Sequence, residues 1–197
     1  MAAARSTSRD LALIAVFAGV IAALGIVPAV FVPGFPAPIT LQSMGVVLAG
    51  AVLGARRGAL SVLLFLALVA IGLPLLSGGR GGLGVFVTQY AGFLWAFPIA
   101  ALVVGWLTYR RGAPYGLGAG VLFNAVGSLV LYAGGWLSLV TIGGQGPVAA
   151  LGLLVIYIPG DLVKMVLAAL VARGVHRAMP DLLPARDQAD VAEPLPA

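Results

Sequence analysis

Long apolar stretches, separated by short segments rich in glycine, proline or arginine, recur along the chain up to about residue 178. A helix that crosses the hydrocarbon core of a bilayer needs roughly 20 predominantly apolar residues. Charged residues make up 9% of the chain, whereas a soluble domain carries about 25%. A surface with so few charges cannot face mostly water. The sequence therefore predicts an all-α membrane protein that is surrounded by the lipid bilayer.

The apolar runs and the glycine, proline and arginine residues between them predict a six-transmembrane-helix bundle. The predicted spans are Leu11–Val30, Ile39–Leu53, Ala59–Leu75, Leu83–Thr108, Tyr115–Val140 and Pro147–Ala172. The second and third spans are short and bounded by glycine, so they either cross the membrane or lie partly buried against neighbouring helices. The first apolar run, which follows Arg5 and Arg9, is longer than the apolar core of a signal peptide, so we interpret it as a retained helix.

The chain has the length of one domain, with a change of composition near its end. Residues 1–178 are predicted to form the membrane domain. Residues 179–197 contain four prolines and four acidic residues, a composition typical of disorder. We therefore expect residues 179–197 to be a disordered cytoplasmic tail.

Basic residues between the apolar runs predict the orientation. With six spans, one side of the membrane receives Arg5, Arg9, Arg56, Arg57, Arg110, Arg111, Arg173 and Arg177, and the other side receives Arg80. Because basic residues mark cytoplasmic loops, both termini are predicted to be inside (N-in/C-in) in a bacterial plasma membrane. The formal net charge of +5 thus reflects topology, and no nucleic-acid partner is predicted.

Two formally charged side chains, Asp161 and Lys164, lie deep in the sixth predicted span. A charge at the bilayer centre costs about 2.5–3.5 kcal/mol on insertion scales, so such residues face a bundle interior. Their spacing places both on one helix face, with Tyr157 one turn earlier. Pro159 and Gly160 predict a kink or break just before them. The pair either neutralises itself or binds a solute, and we favour binding because buried pairs add little net stability.

Uncharged polar side chains in other spans complete a predicted substrate-binding pocket. The predicted binding set is Asp161, Lys164, Gln89, Tyr90, Thr40, Gln42, Asn124 and Tyr157. Asn124, Ser128 and Tyr132 recur at intervals of four residues and form a stripe along one face of the fifth span. For each of these residues alone, the alternative is an interhelical hydrogen bond worth about 0.6 kcal/mol. Arg80, in a glycine-rich loop, either attracts an anionic solute or is simply solvated.

The first helix carries the small residues Ala15, Ala18, Gly19 and Ala22. Small residues at intervals of four allow another helix to approach closely. That helix belongs either to the same bundle or to a partner. The following segment, Pro28–Pro38, is rich in proline and is either a lid or a plain connector.

The sequence lacks the usual catalytic and metal-binding motifs. It contains no cysteine and one histidine, His176, with no HExxH motif, carboxylate cluster or phosphate-binding loop. We therefore predict no catalytic residues, no metal site and no cofactor, and conclude that the protein is not an enzyme. A membrane-embedded enzyme with Asp161 as a general base would lack a second catalytic group.

Four separated motifs resemble those of the BioY family. They are Ile39–Gly50 (ITLQSMGVVLAG) with its continuation through Leu53–Leu60, Ile71–Pro74, Gly78–Gly84 and Pro159–Lys164 (PGDLVK). The resemblance extends from Arg9 to about Arg177. BioY proteins are the substrate-capturing S-components of energy-coupling factor (ECF) biotin transporters.

The resemblance implies a six-helix bundle of the ECF S-component type that captures biotin from outside. Its implied partners are a transmembrane coupling subunit and two ATPase subunits. It further implies that Asp161 and Lys164 belong to the biotin site, and that the small residues of the first helix dock the coupling subunit. The fourth span departs from the family, because Phe93 stands where a tyrosine is usual. An S-component for another vitamin and a structural bundle without a ligand remain the alternatives.

Overall fold

The structure is a computed structural model that describes residues 2–30 and 38–184. The helices in these ranges are α1 (Ala2–Leu24), α2 (Gln42–Leu53), α3 (Ala55–Ala70), α4 (Ala91–Arg111), α5 (Leu117–Thr141), α6 (Pro147–Leu154) and α7 (Ile158–Ala178). Short 3-10 turns cover Leu83–Val87, Val155–Tyr157 and Pro180–Leu182. The described residues contain no β-strand beyond two isolated bridges. The prediction of an all-α protein is confirmed.

Within the described ranges, four helical stretches are long and apolar enough to cross a membrane. They are Thr7–Leu24, Ala91–Arg111, Leu117–Thr141 and Pro147–Ala178. Large apolar side chains are exposed on their outer faces, for example Leu102 on α4, Leu129 on α5 and Val163 on α7. Exposed apolar surface of this extent indicates contact with lipid.

The second predicted span is the central helix of the bundle. Helix α2 has 12 residues and is buried along its length from Gly45 to Leu53. It contacts α1, α3, α4, α5 and α7. Helix α3 has 16 residues and exposes Leu60 and Leu63 on its outer side. The short second and third spans were expected either to cross the membrane or to lie partly buried against neighbouring helices. The second of these descriptions applies to α2.

The sixth predicted span is interrupted just before its charged pair. Helix α6 ends at Leu154, one 3-10 turn follows, and α7 begins at Ile158. Pro159 lies in the first turn of α7, where its missing N–H would have no helical partner in any case. The break expected from the Pro159–Gly160 pair is therefore present, and it makes Asp161 a first-turn residue of a new helix.

Two glycines allow α4 and α5 to touch backbone to backbone. A Cβ atom built on Gly92 would collide with the carbonyl oxygen of Gly134, and one built on Gly134 would collide with that of Gly92. A larger residue at either position would separate the helices. This close contact holds the start of α4 beside the middle of α5, where the cavity described below is formed.

One end of the bundle, called here the basic end, collects the arginine-rich helix termini. There Arg57 pairs with Asp10 at 3.1 Å, and the Tyr109 hydroxyl donates to the Val52 carbonyl at 3.0 Å. The Ala113 amide donates to the Pro184 carbonyl at 2.9 Å. These contacts join α1 to α3, α2 to α4, and the segment after α4 to the segment after α7.

The first residues of the predicted tail are part of the packed structure. Leu182 and Leu183 are each 5% exposed, and Leu182 packs into a core cluster with residues of α2, α4 and α7. The packed domain therefore continues to residue 184. The prediction of a disordered tail falls otherwise on residues 185–197, which lie outside the described residues.

Candidate ligand-binding site

The charged pair of α7 is buried and held by two neighbouring helices. Lys164 Nζ lies 2.7 Å from Asp161 Oδ1, with side-chain exposures of 9% for the lysine and 11% for the aspartate. The other carboxylate oxygen of Asp161 accepts a 2.5 Å hydrogen bond from the Tyr132 hydroxyl on α5. Lys164 Nζ also donates to Ser43 Oγ on α2 at 3.2 Å. The N-terminal turn of α7 further favours the negative charge of Asp161.

This pair forms part of the wall of a cavity at the end of the bundle opposite the basic end. The cavity holds about 790 Å³ of empty space, its open mouth included. The predicted binding residues that line it are Thr40, Gln42, Tyr90, Tyr157, Asp161 and Lys164. The structure therefore brings predicted residues from three separate segments of the chain to one pocket.

Apolar and aromatic side chains form much of the remaining wall. Leu76, Val85, Phe97 and Leu131 are among them. Phe93 also lines the cavity, and its ring lies 6.1 Å from the Tyr157 ring at an interplanar angle of 59°. This tilted geometry is a favourable arrangement for two aromatic rings. A flat, mostly apolar ligand would find matching surface here.

Gln42 lines the cavity, but its amide already bonds within the protein. Its Oε1 accepts from the backbone N–H of Ser77 at 3.0 Å and from Ser77 Oγ at 3.3 Å. Its Nε2 donates to the carbonyl oxygens of Leu75 at 2.9 Å and Ile21 at 3.3 Å. Gln42 is 2% exposed. These contacts connect α2, the end of α1 and the loop after α3.

Gln89 and Asn124, which the sequence also suggested, do not line the cavity. Gln89 Nε2 donates to the Tyr90 hydroxyl at 2.7 Å, so Gln89 reaches the pocket through Tyr90. Asn124 is fully buried, and its Nδ2 donates to the Met165 carbonyl at 3.0 Å. For Asn124 the interhelical hydrogen bond is the alternative that the structure shows.

The cavity also includes residues that the predicted set lacked. Ser43 and Tyr132 contact the charged pair directly, and Arg80 lies in the cavity wall. Tyr132 ends the polar stripe of the fifth span, and Ser43 follows Gln42. These two positions in the sequence already indicated that Tyr132 and Ser43 could be near the site. Which member of a stripe meets Asp161 depends on how α5 packs against α7, and the spacing alone does not say.

The small-residue face of α1 is packed inside the bundle at two of its positions and exposed at the other two. Ala18 is 3% exposed and Ala22 packs against the core, both within the cluster that includes α3 and α4 residues. Ala15 and Gly19 are exposed, and nothing lies within 4 Å of a Cβ atom built on Gly19. Ala15 and Gly19 are thus free to meet another helix.

The ends of the proline-rich segment are joined beside the cavity. Val30 and Ile39 exchange two backbone hydrogen bonds, of 3.0 and 2.9 Å, and Ile39 and Pro38 belong to the cavity wall. Residues 31–37, on which the lid interpretation falls, lie outside the described residues.

Apolar outer faces, and an internal cavity that carries a few polar and charged side chains in a largely apolar wall, define a multi-pass membrane protein with an internal pocket. A profile described as the BioY family matches residues 1–181, and the chain belongs to this family. The described residues contain no group of three or more His, Cys, Asp or Glu side chains suited to a metal ion.

Relatives and a solved structure agree with this assignment. The chain is 50% identical to "Biotin transporter BioY" of Rhodobacter capsulatus, over 90% of this chain and 98% of that one. It is 48% identical to "Biotin transporter BioY" of Rhizobium etli, over 91% and 99%. The fold is similar to a crystal structure of the S-component for biotin from an ECF-type ABC transporter, with a TM-score of 0.81, 28% identity and coverage of 88% of this chain and 93% of that one.

Proposed function

We propose that this protein is a biotin-binding S-component, which captures biotin from outside and delivers it through an ATP-driven ECF transporter. The buried Asp161–Lys164 pair in the cavity carries this proposal, supported by relatives that are named biotin transporters. The ureido group of biotin has two N–H donors and one carbonyl acceptor. A carboxylate accepts from N–H groups and an ammonium donates to a carbonyl, and charge-assisted hydrogen bonds are the strong ones.

The site is suited to binding and not to chemistry. Both carboxylate oxygens of Asp161 already accept hydrogen bonds, from Lys164 and from Tyr132. A carboxylate has about four acceptor positions, so those that remain can accept from N–H donors of a ligand. No bond of the ligand is broken in this proposal, and no cofactor takes part.

The proposed topology has six spans, with both termini in the cytoplasm of a bacterial cell. The clustering of arginine-bearing helix ends at the basic end supports this orientation through the positive-inside rule. The cavity then opens to the outside, where biotin arrives. A reporter fused after Arg177 should read cytoplasmic, and an extracytoplasmic signal would contradict the orientation.

The proposed partners are the transmembrane coupling subunit and two ATPase subunits of an ECF transporter. The exposed part of the small-residue face, Ala15 and Gly19, is the proposed docking surface on α1, because it permits close helix contact. Gly19→Leu should reduce co-purification with the coupling subunit and leave biotin binding unchanged. Leu129→Trp, on the exposed outer face of α5, is the matched control and should retain the complex.

Isothermal titration of the purified protein with biotin tests the site. Asp161→Asn and Lys164→Ala should each weaken binding strongly, and wild-type affinity in both would refute the assignment. Native mass spectrometry of the co-purified ligand would reveal a different vitamin. A bundle without a ligand would show no thermal shift with any vitamin.

A further inference from the structure

Two neighbouring helices, α3 and α4, each carry a stripe of exposed apolar side chains. Residues three or four positions apart lie on the same face of a helix. The stripe on α3 consists of Leu60, Leu63, Leu64 and Ala67. The stripe on α4 consists of Trp95, Ile99, Leu102 and Trp106. Each helix therefore offers the membrane a continuous apolar strip along its length.

The two stripes lie on the same outer side of the bundle. Both helices touch the central helix α2 at Gly50. A Cβ atom built on Gly58 of α3 would lie 2.8 Å from the Cα atom of Gly50, and one built on Gly50 would collide with the Ala101 carbonyl of α4. On each helix the stripe is on the far side from these contacts, and α3 packs along α4. The stripes therefore form one apolar surface, called here the α3–α4 face.

Each stripe ends in an arginine at the basic end. Arg56 precedes Leu60 by four residues, and Arg110 follows Trp106 by four, so each arginine shares the helix face of its stripe. Both arginines are exposed. Neither forms an ion pair within the described part of the chain. Two positive charges without counter-charges therefore stand at one end of the α3–α4 face.

Backbone contacts bring these two helix ends together. A Cβ atom built on Gly105 would collide with the backbone nitrogen of Ala55, and these two residues are the sequence neighbours of Trp106 and Arg56. The Tyr109 hydroxyl fixes the last turn of α4 through its hydrogen bond to the α2 backbone. The two arginines thus stand close together on a well-packed part of the fold.

The indole ring of Trp106 holds the Arg110 side chain in place. The guanidinium carbon of Arg110 lies over this ring, 5.1 Å from its centroid, which is a cation–π arrangement. Tryptophan is enriched at the headgroup level of bilayers, because its ring is apolar at one end and polar at the other. A guanidinium stacked on a ring keeps the N–H groups at its edge for a phosphate. The positive charge is therefore placed where phospholipid phosphates lie.

We propose that the α3–α4 face binds one anionic phospholipid, with its phosphate at Arg56 and Arg110 and its acyl chains along the two apolar stripes. Charge complementarity favours an acidic headgroup, because a zwitterionic lipid brings its own cation close to the arginines. An anion without acyl chains would leave the stripes unused. Basic pockets between helices on the cytoplasmic side bind acidic headgroups in other membrane proteins. The proposal is independent of the ligand in the cavity.

Native mass spectrometry of the purified full-length protein tests this proposal, by titration in detergent with phosphatidylglycerol or phosphatidylcholine of the same acyl chains. Wild type should bind one phosphatidylglycerol about 10- to 30-fold more tightly than phosphatidylcholine, since one basic residue near an anionic lipid contributes about 5-fold. Arg56→Gln and Arg110→Gln should each weaken phosphatidylglycerol about 5-fold. The double variant should lose the preference.

Two further variants control for charge and for stacking. Arg177→Gln removes the same charge from an exposed arginine of α7 at the same end of the bundle, and it should keep the preference. Trp106→Leu keeps the stripe apolar and removes the ring beneath Arg110, so it should weaken phosphatidylglycerol and leave phosphatidylcholine unchanged. Thermal unfolding without added lipid should be the same in every variant, which separates lipid binding from loss of fold.

Four results would overturn the proposal. Equal affinity of wild type for the two lipids would mean that the face recognises no headgroup. Equal weakening by Arg177→Gln and Arg110→Gln would mean diffuse attraction to the basic end. Full competition by soluble glycerol 3-phosphate would mean a site for free anions. Loss of the co-purified coupling subunit in Arg110→Gln, with lipid binding unchanged, would assign the face to that protein.

Discussion

Two ion pairs of the described residues have similar lengths and different surroundings. Asp161 and Lys164 are 2.7 Å apart with side chains 11% and 9% exposed, while Asp10 and Arg57 are 3.1 Å apart with side chains 36% and 37% exposed. The first pair lines the cavity, and the second joins α1 to α3 at the basic end. The second pair shares its charges with solvent, whereas the first depends on neighbouring side chains.

Burial, more than distance, decides what each of these two ion pairs contributes. An exposed pair adds about 0–1 kcal/mol to stability. A buried pair contributes little net stability, yet breaking it is expensive because one charge is left without compensation. Tyr132 and Ser43 extend the buried pair into a network. Such a network holds its charged groups in fixed positions, which is what a ligand site needs.

The largest expected effect is that of Lys164→Ala. Removal of the ammonium leaves the Asp161 carboxylate buried, which should lower the free energy of unfolding by about 3–5 kcal/mol. Biotin affinity should fall by more than about 100-fold, because a charge-assisted contact is lost as well. Thermal unfolding and isothermal titration in detergent measure the two effects.

A double variant, Asp161→Leu with Lys164→Met, separates the two roles of the pair. Replacement of both charges by apolar residues should restore most of the stability and none of the biotin binding. If the double variant binds biotin, the pair is only structural, and the difference between the two ion pairs concerns stability alone.

Tyr132→Phe should have the second largest effect. It removes the hydroxyl that donates to Asp161 Oδ2, and a hydrogen bond to a charged group is worth about 1.5–3 kcal/mol. Biotin affinity should fall about 10-fold because the carboxylate loses one of its fixed partners. Tyr115→Phe is the matched control: the Tyr115 hydroxyl is buried without a hydrogen-bond partner among the described residues, so its loss should be nearly neutral. Equal effects of the two variants would argue against the network.

Gln42→Leu removes buried hydrogen bonds between uncharged groups, and its effect can be compared with that of breaking the buried Asp161–Lys164 ion pair. It leaves the Ser77 amide and the Leu75 carbonyl without their side-chain partner, at a cost of about 1–3 kcal/mol in unfolding free energy. Gln89→Leu, which removes a donor to the Tyr90 hydroxyl, should cost less. Unchanged stability in Gln42→Leu would show that the Leu76–Arg80 turn is stable without the Gln42 hydrogen bonds.

Arg57→Gln should have the smallest effect. The loss of an exposed pair should lower the unfolding free energy by no more than about 1 kcal/mol, and this difference should shrink as salt is added. Biotin affinity should equal that of wild type. A loss of binding here would mean that the basic end and the cavity are coupled, and that burial is not the property that separates the two pairs.

Much of the fold follows from local properties of the sequence. Apolar runs of membrane-spanning length, few charges and arginines between the runs indicate a helical membrane protein. Pro159 and Gly160 predicted the interruption before Asp161, because proline lacks the N–H that a continuing helix needs. The i, i+3 spacing placed Asp161 and Lys164 on one face. These are consequences of backbone geometry over a few residues.

The remaining features depend on which helix faces meet, and local spacing does not encode that. Gln42 and Asn124 are both polar residues in apolar helices, yet Gln42 reaches the cavity wall and Asn124 bonds to α7 away from it. The small residues of α1 form one pattern in sequence, yet packing buries Ala18 and leaves Gly19 exposed. Arg80 follows Ser77 by three residues, and the hydrogen bonds between Gln42 and Ser77, which are distant in the chain, help to hold its turn beside the cavity. The sequence by itself determined a helical membrane protein with one buried charged pair. The tertiary structure decided which polar residues surround that pair, because side chains far apart in the chain become neighbours only when their helices pack.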